Sequence, residues 1–359
     1  STNVDVNLTA DASGLLIEAG ATGVAIDADN VATSEISSAG VVDLGDGATL
    51  VTVSSVDIVA DGNVDVNATG DVSDLNVTTD DDAAQINAAN YRGGVIDLGT
   101  AQLDLVSVAD ATGLTIDAGI VNVDAITLGT SSVLASGAVT VDTAAGGIGL
   151  TTVAATTITS TGGLVQLGNA DTATNVTDTS VTSTGSTVTV DAALGSLSNT
   201  DLDGTVVTVN ADNYQGGVIN GSTNVDVNLT ADASGLLIEA GGTGVAIDAD
   251  NVATSEISSA GVVDLGDGAT LVTVSSVDII ADGNVDVNAT GDVSDLNVTT
   301  DDDAAQINAA NYRGGVIDLG TAQLDLVSVA DATGLTIDAG IVNVDAITLG
   351  TSSILASGP

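Results

Sequence analysis

The residues with the most chemistry to offer are carboxylates. All but four of the 49 acidic residues are Asp, the exceptions being Glu18, Glu35, Glu239 and Glu256. Arg92 and Arg313 are the only cations, and the net charge is −47. Asp29, Asp46, Asn63 and Asp80 recur at a constant interval of seventeen. A structural repeat of that length stacks them in one column, with Asp27 and Asp61 in a weaker second one. Carboxylates ~4.8 Å apart repel by about 1 kcal/mol per pair in a water-like medium, so cations between them would ease the column. Asp, Asn and backbone carbonyls in Gly turns are hard oxygen ligands suited to calcium. The densest acidic cluster is Asp80-Asp81-Asp82, copied as Asp301-Asp302-Asp303. These nine positions are the candidate metal ligands. Two alternatives stand beside that reading: Asp and Asn are also good turn formers, and a run of charge is commonly a solvated loop.

Other chemistry has little to work with. There is no His, Cys or Lys to act as nucleophile or base. Gly-rich stretches such as Gly45-Asp46-Gly47 are not phosphate loops, because no Lys follows. Paired Asp residues could hydrolyse a glycoside, as in polysaccharide-processing β-helices. Such enzymes hold sugar with aromatic or basic residues, and the only aromatics here are Tyr91, Tyr214 and Tyr312. Asn-Tyr-[Arg/Gln]-Gly-Gly, at Asn90 and Asn213, is either a ligand spot or a widened corner covered by Tyr, with Arg paired to a nearby Asp. A charge of −47 excludes nucleic acid and anionic membrane as direct electrostatic partners and points to divalent cations. No apolar run approaches the ~18 residues that would span a membrane as a helix.

The elements that position these residues are strands. Apolar and polar residues alternate throughout, as in Asn3-Val4-Asp5-Val6-Asn7 and Thr187-Val188-Thr189-Val190, and Gly breaks the alternation every few residues. Hydrophobic residues make up 44% of the chain, too many for the disorder that acidity alone would suggest, and they are mainly Val, Ile, Leu and Ala. With no Phe, Trp or Met, the core must be thin, as in a solenoid. Strand-like starts at Val24, Val41, Ile58 and Leu75 share the interval of seventeen, and later starts are spaced by nineteen or twenty. Irregular rungs of about 15–20 residues predict an all-β chain folded as a parallel β-helix, or β-solenoid.

Repetition operates at two further levels. Residues 1–137 reappear as 222–358 with three differences, Ala21→Gly242, Val59→Ile280 and Val133→Ile354. Residues 138–221 complete the first 221-residue unit. Within it, Gly62 to Ile96 aligns on Gly185 to Ile219 without gaps. A near-perfect tandem copy adds little to a catalytic domain and adds length to a fibre. The expectation is one continuous solenoid over 1–359, about 12 rungs and ~58 Å per unit, or roughly 95 Å in all. Because Ser1 falls inside the repeat pattern, the chain reads as a mature fragment or a window on a longer protein. The absence of Cys and Met fits an oxidising, extracellular setting.

Runs such as Val95-Ile-Asp-Leu-Gly and Leu114-Thr-Ile-Asp-Ala-Gly resemble the β-strand repeats of giant bacterial surface proteins, the filamentous-haemagglutinin-like and autotransporter-like adhesins. That resemblance implies a right-handed β-helix and a secreted or cell-surface filament. The expected function is a structural, non-enzymatic stalk segment that self-associates end to end. A calcium-stiffened adhesin stalk is the alternative, and a polysaccharide-processing β-helix the second.

Overall fold

The computed structural model describes residues 2–45, 50–141, 152–192, 195–266 and 271–358. The chain forms two compact units, Ser1–Ser186 and Thr187–Pro359. Among the described residues every regular element is a strand, and no helix is long and apolar enough to cross a membrane. Each unit is a parallel β-solenoid, as the alternation and thin core predict.

A rung contains three strand segments, each pairing in parallel with its counterparts in adjacent rungs, so each unit has three files of strands. In the first unit the first file pairs Val24 with Val42, Val42 with Val64, Val64 with Ala84, and Leu103 with Val121. The second file pairs Val31 with Val53, Val53 with Val72, and Tyr91 with Ala111. The third pairs Ile36 with Ile58, Ile58 with Val77, and Ile96 with Ile116. All these side chains are buried. Like therefore stacks on like, and the interior is three columns of Val, Ile, Leu and Ala. Side chains of this size fill most of it, three buried Tyr residues excepted, and β-branched residues suit the pleat.

The rungs are unequal in length, and most are longer than a 17-residue repeat, although Ile116 stacks on Val133 at that interval. Val24 stacks on Val42, but the next steps in the same file, Val42 to Val64 and Val64 to Ala84, are wider, and Val139 to Val165 is wider still. The interval of seventeen arises because all three files share one alternating texture. It relates Val41, beside the first file, to Ile58 in the third.

The second and third files meet at a bend made by one residue with left-handed backbone. In the first unit this position is held by Thr33, Ser55, Asp74, Gly93, Gly113, Thr130, Ala155 and Asp178 in successive rungs, with φ between +46° and +69°. The next residue points inward. Where it is Ser or Thr, its hydroxyl donates to the carbonyl two residues back, as Ser34 Oγ does to Ala32 O (2.8 Å) and Thr156 Oγ1 to Ala154 O (2.9 Å). The buried hydroxyl is thereby satisfied.

At Gly94 the inward residue has no side chain. A Cβ there would lie 2.2 Å from Leu75 O, and φ is +123°. Fully buried Tyr91 of the same rung reaches into this corner, and its hydroxyl donates to the same Leu75 O at 2.9 Å. Tyr214 with Gly217 and Tyr312 with Gly315 repeat the device on Thr200 O (2.6 Å) and Leu296 O (2.9 Å). Burial pushes all three phenols above their ordinary pKa. The Asn-Tyr-[Arg/Gln]-Gly-Gly motif is thus a core-filling corner.

Gly113 is also left-handed, but a Cβ there meets nothing nearer than 3.6 Å. Gly113→Ala should cost about 1–2 kcal/mol, the usual left-handed penalty. Gly94→Ala should cost several kcal/mol, because a backbone carbonyl must move as well. Tyr91→Phe should cost about 1–2 kcal/mol through the lost hydrogen bond. Urea unfolding followed by far-UV circular dichroism checks the order; equal costs for the two Gly variants would contradict the corner packing.

Candidate cation-binding face

Side chains alternating with the buried columns point outward, and they too stack rung on rung. Asp43 pairs with Asp65 in the first file, and their copies Asp264 and Asp286 pair identically. In the third file Glu35 pairs with Asp57 and Asp97 with Asp117, and the copies Glu256–Asp278 and Asp318–Asp338 do the same. Each pair sets two carboxylates on neighbouring strands about 4.8 Å apart.

Amides are interleaved with these acids. The first-file ladder continues from Asp65 through Gln85 and Asp104 to Asn122. Asn122 Nδ2 donates to Asp104 Oδ1 at 2.7 Å, and Gln102 Nε2 lies 2.8 Å from both Asp104 oxygens. Asn76 Nδ2 donates to Asp57 Oδ1 at 2.6 Å and Asn90 Nδ2 to Asp71 Oδ1 at 2.7 Å. The three Asn bonds each join one rung to the next and supply a donor where a second carboxylate would only repel.

The two arginines act in the same ladders. Arg92 Nη2 lies 3.0 Å from Asp110 Oδ2. Arg313 is shared, with Nη1 3.8 Å from Asp292 and Nε 3.6 Å from Asp331. Both side chains are more than half exposed, so each pair adds no more than about 1 kcal/mol.

The column drawn at 17-residue spacing is not brought together. Asp29 stacks on Ala10 and Val51: its N–H donates to Ala10 O at 3.1 Å and its carbonyl accepts from Val51 N–H at 2.7 Å. Asn63 Oδ1 accepts from Ala83 N–H at 3.2 Å, and its carbonyl accepts from Val42 N–H. Asp80 follows Thr79, whose partner is Ala60, so it runs alongside Asp61 rather than Asn63 and lies in a different turn from Asp29. Asp46 lies outside the described residues. The physical reason is that the rungs between Asp29 and Asp80 all exceed seventeen residues, so that interval carries a residue only as far as a neighbouring site.

The Asp triplet is divided among separate tasks. Asp81 has left-handed backbone, φ +64°, and its Oδ1 accepts Thr100 N–H at 2.7 Å and Thr100 Oγ1–H at 3.0 Å from the following rung. Asp82 N–H donates to Thr79 Oγ1 at 3.2 Å, and that hydroxyl donates back to Asp82 O at 2.5 Å. Asp302 and Asp303 repeat the bonds of Asp81 and Asp82. Asp80 and its copy Asp301 are exposed beside them. Among the described residues no three acidic side chains converge as metal ligands.

The in-register acid pairs are invisible to a search at fixed spacing, because no single interval relates them. The step from Asp43 to Asp65 is longer than the step from Asp97 to Asp117. Matching Val42-Asp43-Leu44 to Val64-Asp65-Val66 as strands would have found the first. In the second unit Asp203, Asn220 and Glu239 also stack, around an open depression of about 320 Å³ that includes Ser222. Asn220 Oδ1 is buried there without a hydrogen-bond partner.

No protein-family model, curated protein or solved structure matches the chain.

The Asp81 geometry has a pH consequence. First the Thr100 N–H and then its hydroxyl hold the Asp81 carboxyl below its ordinary value of 3.8, and Thr321 does the same for Asp302. A lowered folded-state pKa stabilises the fold above the unfolded value and is lost as pH falls through the folded one. Asp81→Asn with Asp302→Asn should lower the melting temperature at about pH 6 and flatten its fall as the pH drops below the ordinary carboxyl value of 3.8. Parallel melting curves over that pH range would contradict the assignment.

Proposed function

We propose that this chain is a structural segment of an extracellular or cell-surface filament, part of the shaft of a giant repetitive protein of the adhesin kind. It has no catalytic role and associates end to end with its own kind. The observation that carries this reading is the behaviour of the duplication. Val24↔Val42 recurs as Val245↔Val263, Asp43↔Asp65 as Asp264↔Asp286, and the Tyr91 corner as the Tyr312 corner. A copied segment therefore enters as whole rungs with every strand in its file. Duplication of this kind lengthens a shaft without building a new site. Absence of Cys and Met keeps such a shaft inert to oxidation.

Antibodies raised against residues 222–358 should label intact, unpermeabilised cells of the native host along extended filaments, and protease added outside should remove the label. Labelling that needs permeabilisation would contradict the surface assignment.

A second reading, calcium stiffening, is favoured by the in-register acid pairs. Calcium between Asp43 and Asp65, and between Asp264 and Asp286, would turn rung-to-rung repulsion into a bridge. At fixed ionic strength, calcium should raise the melting temperature over that in chelator. Asp43→Asn with Asp264→Asn should shrink that rise, while stabilising the chelated protein by about 1 kcal/mol per relieved pair. Identical melting with calcium and chelator would rule the bridge out.

A further inference from the structure

The acids are unevenly spread. They recur every few residues from Asp5 to Asp124, but among the described residues of 125–170 none is charged. The change is visible within single ladders of the first unit. In the third file Asp97 stacks outward on Asp117, and the same ladder then continues as Leu134, Thr159 and Thr182. Beside it Ser132, Thr157 and Ser180 form a ladder of hydroxyls. At the neighbouring corner Val121 N–H donates to Ala138 O at 3.0 Å and Val139 N–H to Leu164 O at 2.9 Å, which sets Ile120, Ala138 and Leu164 in one column. Ile120 is 41%, Leu134 41% and Leu164 43% exposed. Single apolar residues are ordinary on a surface, whereas an uncharged apolar patch on so acidic a chain marks a contact.

We propose that this face docks side by side on the same face of a second copy, about a two-fold axis. Charge chooses the occupant. Two copies of a molecule of charge −47 that met along the acidic ladders would set carboxylate against carboxylate, whereas here aliphatic and hydroxyl groups meet their like. A charged partner finds no opposite charge on this face. A sugar ring finds no aromatic to stack on, because all three Tyr side chains are buried. Two sheet faces pack ~10 Å apart with their side chains interleaved, and a two-fold contact needs only a self-complementary patch. Strand rise and rung spacing give the patch roughly 300 Å² per copy, well below the ~800 Å² per partner of a stable complex. The contact is therefore weak and reversible, made between neighbours held at high local concentration. It stands independently of the shaft reading.

Cross-linking of the full chain tests it, because the chain has no Cys and a cross-linker traps weak dimers as they form. Thr159→Cys puts a thiol at the centre of the face. Val59→Cys puts one at another outward position of the third file, 53% exposed and beside Asp57. With a short bifunctional maleimide at about 0.15 M salt, and rates normalised to monofunctional labelling, Thr159→Cys should dimerise about tenfold faster than Val59→Cys. Adding Leu134→Asp to Thr159→Cys should remove that advantage, whereas adding Val59→Asp, the same charge elsewhere, should leave it. If Leu134→Asp loses β structure by circular dichroism, Leu164→Asp blocks the same face. Equal rates for the two thiols, or a Thr159→Cys rate indifferent to the blocking Asp, would overturn the contact. So would shielding of the Thr159→Cys thiol by an insoluble neutral glucan without any dimer, which would assign the face to a glycan. The shaft reading survives each of these results, since surface labelling decides it separately.

Discussion

Register between rungs is the constraint on which everything else depends. Along every strand, inward and outward side chains alternate, so a slip of one residue would carry an outward carboxylate such as Asp43, Asp57 or Asp97 into the interior. Burying an unpaired carboxylate costs several kcal/mol even after relaxation. The acidic exterior and the aliphatic interior are therefore one device: the acids forbid the wrong register, and stacked Val and Ile reward the right one. The hydrogen bonds Asn76–Asp57, Asn90–Asp71 and Asn122–Asp104 add direction to it, because each is made only when neighbouring rungs are aligned.

The second requirement is a bend the chain can repeat indefinitely. Left-handed backbone at Thr33, Ser55 and Asp74 is strained for residues with a Cβ, yet the position recurs rung after rung. The strain is offset by the next residue, which is an inward Ser or Thr that caps its own carbonyl, an inward Val or Leu, or a Gly backed by Tyr. Bend, register and side-chain ladders are thus local to a rung and its neighbours. That locality is why the 221-residue duplication could be absorbed, and why a conservative change such as Val59→Ile280 sits harmlessly on an exposed position.

Much of the architecture was legible in the sequence. Strict alternation, β-branched residues, Gly punctuation and the lack of large aromatics sufficed for a parallel solenoid. The exact stacking was not legible, because three files with the same texture make many spacings look periodic. A constant interval aligned Asp29 with Asn63 and Asp80, whereas the turns place Ala10 and Val51 around Asp29 and Ala83 over Asn63. The turns vary in length more than the strands do, so a constant interval fails where a motif match, Val42-Asp43-Leu44 onto Val64-Asp65-Val66, succeeds. Tyr and Arg in Asn-Tyr-Arg-Gly-Gly were readable as a filled corner and an ion pair. The rare residue types there mark an unusual piece of packing.

The register can be tested directly, because the chain contains no Cys and any thiol chemistry is introduced. In the pair Asp43→Cys with Asp65→Cys, the Cα atoms sit on adjacent paired strands, within the ~4.4–6.8 Å a disulfide spans. In the pair Asp43→Cys with Ala60→Cys, the positions are related by the interval of seventeen but belong to different files. Mild oxidation of the folded monomer should close an intramolecular disulfide in the first pair and leave the second as free thiols, by mass spectrometry. Closure of the second pair in preference to the first would contradict the register, and with it the account of how the acids, the bends and the duplication fit together.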